Sequence, residues 1–455
     1  MKGVLALAVA ASMAFLQAQA AKEVFAHVIT GNTGGLSQQD WETDMKLAKS
    51  LSIDGFVFNV GFGDTKNEAT LTTAFKAANA QKFTGFLSLD YLGGPLEQKA
   101  WPKADAQALI QKFAGDPAYF KVDGKPFVST FEGPANAPDW PDIKKSTNCF
   151  FVPDWSSLDA KAAVAAAGGV VDGLFSFNAW PNGDTNITTQ PDKNFQGALT
   201  GGKKYMMPVS PWFFTNLPGF NKNWLWHGDN LWDTRWAQVM EINPDFVEIL
   251  TWNDWGESHY INNVRATELD LFKLSNAPVN YAANNPHTGW QKFLPFYIAQ
   301  YKAGGKAPAI TKEDAYVSYR KTKATACPSG GTTGNNKDFG QTEVPPETLV
   351  EDSVFFAALL KSDEGVTVEV TFGGAADAAA PAGVNGTAAT AAFTQAPAGG
   401  KGTPGVYLGA VPFGANTGAV TLTVKRAGAE IAKVTGPAIT TTCEGGVQNW
   451  NAVAV

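Results

Sequence analysis

Eight apolar or β-branched runs recur along residues 24–252, and this repetition constrains the fold more than any other feature of the chain. Segments with a helical spacing of apolar residues separate most of the runs, so each unit consists of a strand and a helix. Such strands pair in parallel through right-handed crossovers. Eight units over roughly 240–280 residues predict an α/β fold, a (β/α)8 TIM-type barrel. The runs are Val24–Thr30, Gly55–Val60, Thr84–Tyr91, Pro126–Glu132, Cys149–Trp155, Gly173–Trp180, Lys204–Trp212 and Phe246–Trp252.

A doubly wound open sheet is the alternative for strands that alternate with helices. In its nucleotide-binding form that fold carries a glycine-rich phosphate loop after its first strand, and no such loop follows Val24–Thr30. The barrel is therefore the favoured fold. The segments with helical spacing include Asp40–Leu51, Ala104–Phe113, Ala160–Ala167, Leu231–Ile242 and, beyond the eighth run, Trp290–Tyr301.

Polar and aromatic side chains stand at the end of nearly every predicted strand, where barrels of this type carry their active sites. Random loop ends would be richer in Gly, Ser and Lys. We therefore predict that these residues ring the mouth of the barrel, although each one alone is equally compatible with a helix cap or a loop hydrogen bond. The ring consists of His27, Asn59, Asp90 with the adjacent Tyr91, Glu132, Asp154, Trp180, Trp212, and the pair Asp254 and Glu257.

The end of the eighth run carries the strongest chemical signal, because an apolar strand passes directly into Trp252, Asn253, Asp254, Trp255 and Glu257. Two carboxyls can transfer the protons of glycoside hydrolysis, and aromatic rings can stack on pyranose faces. The two acids would lie roughly 5–6 Å apart in a helical turn and roughly 10 Å apart in extended chain. Inverting chemistry needs about 6.5–9.5 Å and retaining chemistry about 5–5.5 Å, so both remain open.

Tryptophan is concentrated near these acids, since seven of the 14 Trp residues fall between Trp212 and Trp255. Trp224 and Trp226 lie in an irregular, Asn-rich segment, where sugar stacking explains them better than core packing does. His259 follows the second acid by two positions and is expected to line the same cleft. No His-Glu-x-x-His spacing, Gly-x-Ser-x-Gly elbow or redox fingerprint occurs, so we expect no metal and no cofactor.

The pattern changes after about residue 262. Residues 328–346 are rich in Gly, Thr, Asn and Pro, which predicts a linker between a barrel at 21–327 and a second domain at 347–455. The second domain is predicted to be a smaller, all-β sandwich, because runs such as Val366–Phe372 and Ala419–Lys425 alternate apolar and polar residues.

Two further expectations concern this second domain. Residues 373–404 are dominated by Ala, Gly and Pro and are expected to form a long loop. The domain holds one Trp, Trp450, and one Tyr, Tyr407. We therefore favour packing against the barrel over polysaccharide binding as its role.

The first 20 residues have the order of a secretory signal peptide. Lys2 precedes an apolar run from Val4 to Leu16, and a small-x-small site ends at Ala20, where cleavage is expected. We therefore expect a secreted protein, extracellular or in the cell wall.

Secretion permits disulfides. Cys327 and Cys443 lie in polar, irregular stretches and are the expected pair, whereas Cys149 opens an apolar run and is expected to be a buried free thiol. Glycosylation sequons at Asn186 and Asn385 agree with secretion.

Charge and hydropathy exclude two classes of partner. The formal net charge is −7 and no Lys/Arg cluster occurs, so nucleic acid is not an expected partner. The N-terminal apolar run is too short to span a bilayer and no later run is long enough, so no membrane partner is expected. We expect a monomer whose partner is its polysaccharide substrate.

Taken together, several segments resemble glycoside hydrolase family 71, the fungal α-1,3-glucanases or mutanases. The resemblance covers roughly residues 24–300 in order and does not extend clearly over the tail. It implies a (β/α)8 barrel, often followed by a β-sandwich, and endo-type hydrolysis of α-1,3-glucan with inversion. The segments are Phe25–His27, Ser129–Gly133, Asp172–Phe177, Met207–Phe213, Lys222–Trp226 and, most closely, Trp252–Tyr260.

The resemblance also implies catalytic residues. The acids of the family's Asn-Asp-x-Gly-Glu motif map onto Asp254 and Glu257, and a further acid maps onto Asp90. In the resulting hypothesis Glu257 is the general acid, its pKa raised by nearby Trp rings and by the charge of Asp254. Asp254 is then the general base and Asp90 positions the water or holds a hydroxyl, although the acid and base roles could be exchanged. The alternatives are a glycosidase acting on α-mannan or a mixed α-glucan, and a non-catalytic glucan-binding protein.

Overall fold

The computed structural model describes residues 22–94, 99–373 and 387–455. The expected signal peptide at 1–20 and the sequon at Asn385 lie outside these residues. The eight predicted strands are all present, and each ends within five residues of its predicted end. In chain order they are Glu23–Ile29, Gly55–Gly61, Thr84–Asp90, Lys125–Phe131, Phe150–Phe151, Gly173–Phe175, Lys204–Val209 and Phe246–Ile249.

These eight strands form a closed parallel barrel. Neighbouring strands along the chain pair in ladders, except for the fifth and sixth, and the first strand pairs with the eighth. A single bridge between Asp154 and Phe175 joins the fifth strand to the sixth. The sheet therefore runs once around, with the carboxyl ends of all eight strands at one rim.

Phenylalanine rings fill the barrel at the end opposite this rim. Phe86 lies 4.9 Å from Phe25 and 4.5 Å from Phe127, and Phe127 lies 5.4 Å from Phe246, between ring centroids. Because side chains alternate along a strand, residues two positions further on also face the interior. That next layer is polar and buried, and it comprises His27, Ser88, Ser129 and Glu248.

Helices pack around the outside of the barrel. The helix predicted at 290–301 is divided into two, and Pro295 stands in the first turn of the second piece, where proline is tolerated. The α-helices are Gln38–Ser50, Asn67–Gln81, Lys103–Ala114, Trp140–Thr147, Ala160–Ala167, Gln190–Ala198, Leu231–Ile242, Asp270–Leu274, Thr288–Gln291 and Leu294–Lys302.

The C-terminal region is a β-sandwich of two antiparallel four-stranded sheets, as the alternating runs predict. Val317 and Phe356 of one sheet share a core with Val370 and Leu422 of the other. The first sheet has the order Gly405–Pro412, Ser353–Leu360, Asp314–Arg320 and Ala452–Ala454, and the second has the order Thr387–Ala391, Val366–Phe372, Gly418–Arg426 and Ala429–Ile439.

The structure differs from the predicted domain boundaries in two places. The strand Asp314–Arg320, which lies before the predicted boundary at residue 327, belongs to the sandwich because it pairs with Ser353–Leu360. Residues 328–346 are structured: Thr333–Gly334 pairs with the strand Lys222–Leu225. Polar composition predicted a linker there, but side chains of Thr332 and Asn335 make hydrogen bonds to the barrel region instead.

The described part of residues 373–404 also departs from the expected long loop. It contains the strand Thr387–Ala391, which pairs with Val366–Phe372. Residues 374–386 lie outside the described part of the chain.

The sandwich packs tightly on the barrel. Tyr316 donates hydrogen bonds to Asp233 on a barrel helix, as does Tyr297, and burial raises the pKa of Asp233 to about 6. The Trp212 indole donates to the backbone oxygen of the buried Trp450 (3.2 Å). Every residue of Ser353–Leu360 is buried, because one face meets the barrel core and the other meets the second sheet.

The cysteines are arranged as the sequence predicts. Cys327 and Cys443 form a disulfide across 116 residues, and Cys149 is a buried thiol. Asn186 is exposed on the surface. Within the described residues, each helix falls short of the length and hydropathy that a membrane span requires.

Candidate active site

The eighth strand ends at Ile249, and residues 250–262 form the loop that carries both acids. Thr251 N donates to His259 O (2.7 Å) and Ile261 N donates to Thr251 O (2.9 Å), so the loop closes on itself. Inside it, Glu257 N donates to Asp254 Oδ1 (2.9 Å). This single turn presents both carboxyls at the rim of the barrel.

The two carboxyls meet one imidazole and one ammonium group. His259 Nε2 lies 3.0 Å from Glu257 Oε2 and 3.6 Å from Asp254 Oδ2. Lys222 Nζ lies 2.5 Å from Glu257 Oε1. Asp254 and Glu257 remain 18% and 17% exposed, so a ligand in the mouth can reach both.

The surroundings separate the two acids electrostatically. Burial raises the pKa of Asp254, and the charge of Glu257 raises it further. Burial would also raise the pKa of Glu257, but Lys222 and His259 outweigh burial and hold that pKa well below its usual range. The expected raised pKa of Glu257 is therefore wrong, and Asp254 is the acid that retains a proton more readily.

A buried pair lies beneath these acids in the barrel interior. His27 Nδ1 lies 2.6 Å from Glu248 Oε1, and burial raises the pKa of Glu248. Asp90 ends the third strand. Burial raises its pKa, and the backbone hydrogen bonds of Leu92 and Gly93, followed by Asn59 and His27, act in the opposite direction. Three residues of the predicted ring, His27, Asn59 and Asp90, thus lie on the adjacent first, second and third strands.

Asp90 also has the structural role that a lone acid after a strand often has. Its Oδ1 accepts hydrogen bonds from Leu92 N (2.9 Å) and Gly93 N (2.5 Å). One oxygen therefore holds the loop that follows the strand. Burial lowers the pKa of Lys222, but the charges of Glu257 and Asp254 outweigh burial and raise this pKa. The charge of Asp90 makes a smaller contribution in the same direction.

Four aromatic rings form a wall beside His259. The Phe213 ring is stacked against its imidazole, with centroids 5.6 Å apart, and Trp180 meets it edge-on at 5.3 Å. Trp226 lies 4.3 Å from Phe213 and 5.2 Å from Trp180. Trp224 stacks on Phe213 at 5.6 Å. We call Trp180, Phe213, Trp224 and Trp226 the aromatic wall; Trp180 and Trp224 are partly exposed.

Glu132 and Asp154 form a second pair of carboxyls at the ends of the fourth and fifth strands. Glu132 accepts hydrogen bonds from Ser157 N (2.7 Å) and Ser157 Oγ (2.5 Å). Asp154 is fully buried, and its Oδ2 has no hydrogen-bond partner among the described residues. Burial raises the pKa of both, and the charge of Glu132 raises that of Asp154 further.

Trp252 and Trp255 of the loop at residues 250–262 are not at the mouth, contrary to expectation. Trp252 is 1% exposed and its indole donates to Asp44 Oδ2 (3.2 Å). Trp255 is 0% exposed and its indole donates to Glu268 Oε2 (3.1 Å). Because the polar edge of each ring is satisfied inside the core, both anchor the loop and neither can stack on a sugar.

Three more predicted binding residues lie away from the mouth. Tyr91 is buried against Gly133, since it follows the inward-facing Asp90 and points outward. Trp212 lies in the contact with the sandwich. Asn253 is 1% exposed, and its side chain bonds to the backbone N and O of Ile29 (2.8 and 3.2 Å), which ties the loop to the first strand.

The loop at residues 250–262 is braced by the C-terminal region. Tyr260, which follows His259, stacks on His287 with centroids 3.9 Å apart. Asn451 Nδ2 donates to Tyr260 Oη (3.1 Å), and His287 Nε2 lies 3.1 Å from Asn451 Oδ1. Burial lowers the pKa of His287 to about 4, so the brace is uncharged near neutral pH.

Three important residues were not predicted from the sequence. Lys222 and Phe213 belong to or adjoin the hairpin Phe214–Leu217 and Lys222–Leu225, which folds over the rim between the seventh and eighth strands. Both lie in segments that carry the family resemblance, Met207–Phe213 and Lys222–Trp226, but nothing in those segments marks Phe213 or Lys222 as a site residue. Glu248 carried a signal, because a charged residue interrupts an otherwise apolar buried strand.

Ligand atoms of Asp254, Glu257 and His259 lie within 4.8 Å of one another, a grouping of the kind that binds metal ions. The ammonium of Lys222 already bonds to Glu257 and places a positive charge beside the group. That charge opposes a cation and favours an acid–base role for these side chains. The expectation of no metal and no cofactor stays a prediction.

Paired carboxyls and an aromatic wall at the carboxyl ends of a (β/α)8 barrel define a glycoside hydrolase. Comparison with known proteins gives the particular family. Residues 20–455 match the sequence profile of glycosyl hydrolase family 71, and the chain belongs to this family.

Named relatives cover most of the chain. A mutanase of Penicillium rubens is 33% identical over 378 residues, which span 80% of this chain and 78% of the relative. A glucan endo-1,3-alpha-glucosidase of Schizosaccharomyces pombe is 32% identical over 479 residues, which span 99% of this chain and 98% of the relative. Among solved structures, the GH99 endo-alpha-mannosidase of Bacteroides thetaiotaomicron is similar over 62% of this chain and 98% of its own, with 10% identity and a TM-score of 0.47.

Proposed function

We propose that the protein hydrolyses α-1,3-glucosidic bonds inside chains of α-1,3-glucan. The names of the family 71 relatives support the substrate, and those of the relatives called endo-acting support internal cleavage. The observation that carries the chemistry is the rim cluster beside the aromatic wall. It holds two carboxyls whose pKa values are shifted in opposite directions, and Glu257 bonds to both Lys222 and His259 while Asp254 lies 3.6 Å from His259.

The electrostatics favour Asp254 as the general acid and Glu257 as the general base. Partial burial and the neighbouring charge of Glu257 raise the pKa of Asp254, which favours Asp254 as the group that protonates the leaving oxygen. Glu257 stays ionised beside Lys222 and His259, so it can draw a proton from water. This is the exchanged version of the roles that the sequence hypothesis favoured.

The separation of the acids bears on stereochemistry. A water molecule between sugar and base requires carboxyls about 6.5–9.5 Å apart, whereas oxygens of Asp254 and Glu257 lie within 4.8 Å. We retain the inversion that the family resemblance implies. Inversion then requires the Glu257 side chain to turn away from Asp254 when the substrate and the attacking water enter the site. NMR of the first product anomer tests this: an α-anomer would mean that the pair acts at its observed separation with retention.

A substrate screen with two variants tests the function. Purified protein is incubated with insoluble α-1,3-glucan, α-mannan and a mixed α-glucan, and released reducing sugar is measured. We expect release from α-1,3-glucan first, and a loss of about 10²–10⁴-fold in Asp254→Asn and in Glu257→Gln. Release from α-mannan alone would replace the proposed substrate, and binding without any soluble product would support a glucan-binding protein.

Secretion, glycosylation at Asn186 and a monomeric state complete the proposal. The disulfide between Cys327 and Cys443 supports folding in an oxidising compartment. Mass spectrometry of the secreted protein checks the N-terminus after Ala20 and the sugar on Asn186, and light scattering checks the monomer. An N-terminus at Met1 would contradict cleavage.

A further inference from the structure

A short segment beyond the barrel joins the aromatic wall from outside. Gln341 Oε1 accepts hydrogen bonds from the Trp226 indole (2.6 Å) and from Asn336 N (2.8 Å). Asn335 N donates to Leu225 O (2.8 Å), next to the paired strand Thr333–Gly334. We call residues 332–341 the outer strap. Its contacts fix it to the hairpin that carries Trp224, Trp226 and Lys222.

The outer strap presents one apolar side chain to solvent. Phe339 is 63% exposed, and its ring lies 6.0 Å from Trp226 in an edge-to-face arrangement. A single exposed apolar residue is ordinary on a protein surface. Phe339 differs because it continues a row of rings that leads from the acids outward: His259 to Phe213 at 5.6 Å, Phe213 to Trp226 at 4.3 Å, and Trp226 to Phe339.

We propose that Phe339, together with the edge of Trp226, forms an outer subsite that binds a glucose unit remote from the bond being cleaved. The proposal rests on the proposed function and extends it to residues outside the barrel. A pyranose presents an apolar C–H face, which a ring covers, and hydroxyl edges, which need polar partners. Lys337 and Asp338, both exposed beside Phe339, offer a donor and an acceptor at this place.

The chemistry of the row favours a neutral polysaccharide as the occupant. The rings contact one another in series from His259 outward, so the exposed Phe339 is connected to the rim that carries the two acids. Phe213 and Trp226 are buried (2% and 7% exposed), so Phe339 offers the main sugar-binding face of the row. A protein partner would need a wider apolar surface than one ring at the end of such a row.

Chain-length dependence of the kinetics tests the subsite. Phe339→Ala is compared with the wild type on soluble α-1,3-linked glucooligosaccharides of increasing length. We expect KM to rise by roughly 2- to 12-fold on the longer oligosaccharides, because this ratio corresponds to the free energy that contacts of one aromatic ring contribute. The increase in KM should become smaller as the substrate becomes shorter. Phe339→Tyr, which keeps the ring, should restore the wild-type KM.

Leu274→Ala is the matched control, because Leu274 is 73% exposed and outside the aromatic wall; its KM should equal that of the wild type at every length. The unfolding midpoint of Phe339→Ala should also equal the wild type, since the side chain is mostly exposed. A KM change of the same size at all lengths, or no change at any length, would overturn the subsite.

Failure of the proposed function is recognised separately. The proposed function fails if the wild-type protein releases no sugar from α-1,3-glucan. In that case the subsite is tested by adsorption of the protein to the glucan. Glu257→Gln and the double variant with Phe339→Ala are then compared for adsorption to insoluble α-1,3-glucan. Weaker adsorption of the double variant supports the subsite, and equal adsorption overturns it.

Discussion

Lys222 sets the pH range over which Glu257 can accept a proton. Its ammonium lies 2.5 Å from Glu257 Oε1 and contributes to holding the pKa of that acid low. Lys222→Met keeps the apolar stem and removes the charge. A base works only while ionised, so activity falls as the pH drops through the pKa of Glu257. Without the lysine that pKa is higher, and the acidic limb of kcat/KM must therefore move to higher pH.

The size of the change follows from the geometry. Removal of an opposite charge in direct contact moves the titration of a carboxyl by about 1–3 pH units. The Lys222 side chain is 40% exposed, so water screens part of its charge, and His259 still contacts Glu257. We therefore expect the limb to move up by about 1–2 pH units, the lower part of that range.

The assay is kcat/KM on a soluble α-1,3-glucooligosaccharide from roughly pH 2 to pH 8, because the acidic limb that Glu257 sets lies below the usual carboxyl range. Lys222→Arg keeps a positive charge and should hold the limb near its wild-type position. Lys103→Met removes a lysine of similar exposure that pairs with Asp142 (2.7 Å) on the surface, and should leave the profile unchanged. The reasoning is refuted if the limb of Lys222→Met stays in place or moves down.

Three predictions concern stability, each measured by chemical denaturation. Asp192→Asn should lower the unfolding free energy by about 3–5 kcal/mol, because it leaves the buried Arg235 charge without its two-bond partner; a loss below 1 kcal/mol would contradict this. Changing Cys327 and Cys443 to Ser should cost about 2–5 kcal/mol, because the bridge closes a loop of 116 residues; equal stability would contradict it. The raised pKa of Asp233, about 6, favours its neutral form, so its contribution to stability is present below about pH 3.9 and is lost as pH rises through about 6. Asp233→Asn should flatten this part of the profile, and an unchanged slope would count against it.

The barrel was predictable because its signal is repeated and local. Each strand is an apolar run that ends at a polar or aromatic residue. An error in the predicted length of one strand therefore does not change the predicted number of strands. The fifth strand shows this, since only Phe150–Phe151 of the predicted Cys149–Trp155 is in the ladder and the barrel still closes. Residues 328–346 were misjudged because polar hydrogen bonds to a hairpin leave no periodic pattern in the sequence.

The acids of the site were predictable, and their partners were not. Asp254 and Glu257 stand together in sequence, but Lys222 reaches Glu257 from 35 residues away, across a fold that no local pattern describes. The same limit explains Trp252. Its position at a strand end indicated a sugar platform, but Asp44, 208 residues distant, draws its indole into the core. Long-range partners decide which face of the loop each ring occupies.

The brace behind the catalytic loop has a consequence for the order of synthesis. The ribosome synthesises Asp254, Glu257 and all eight barrel strands first. Asn451, which donates a hydrogen bond to Tyr260, lies 191 residues after Tyr260 in the chain and is synthesised much later. A nascent chain therefore carries both acids on a loop that still lacks its final support. We expect incomplete chains to be inactive, so that hydrolysis begins only after the sandwich has docked.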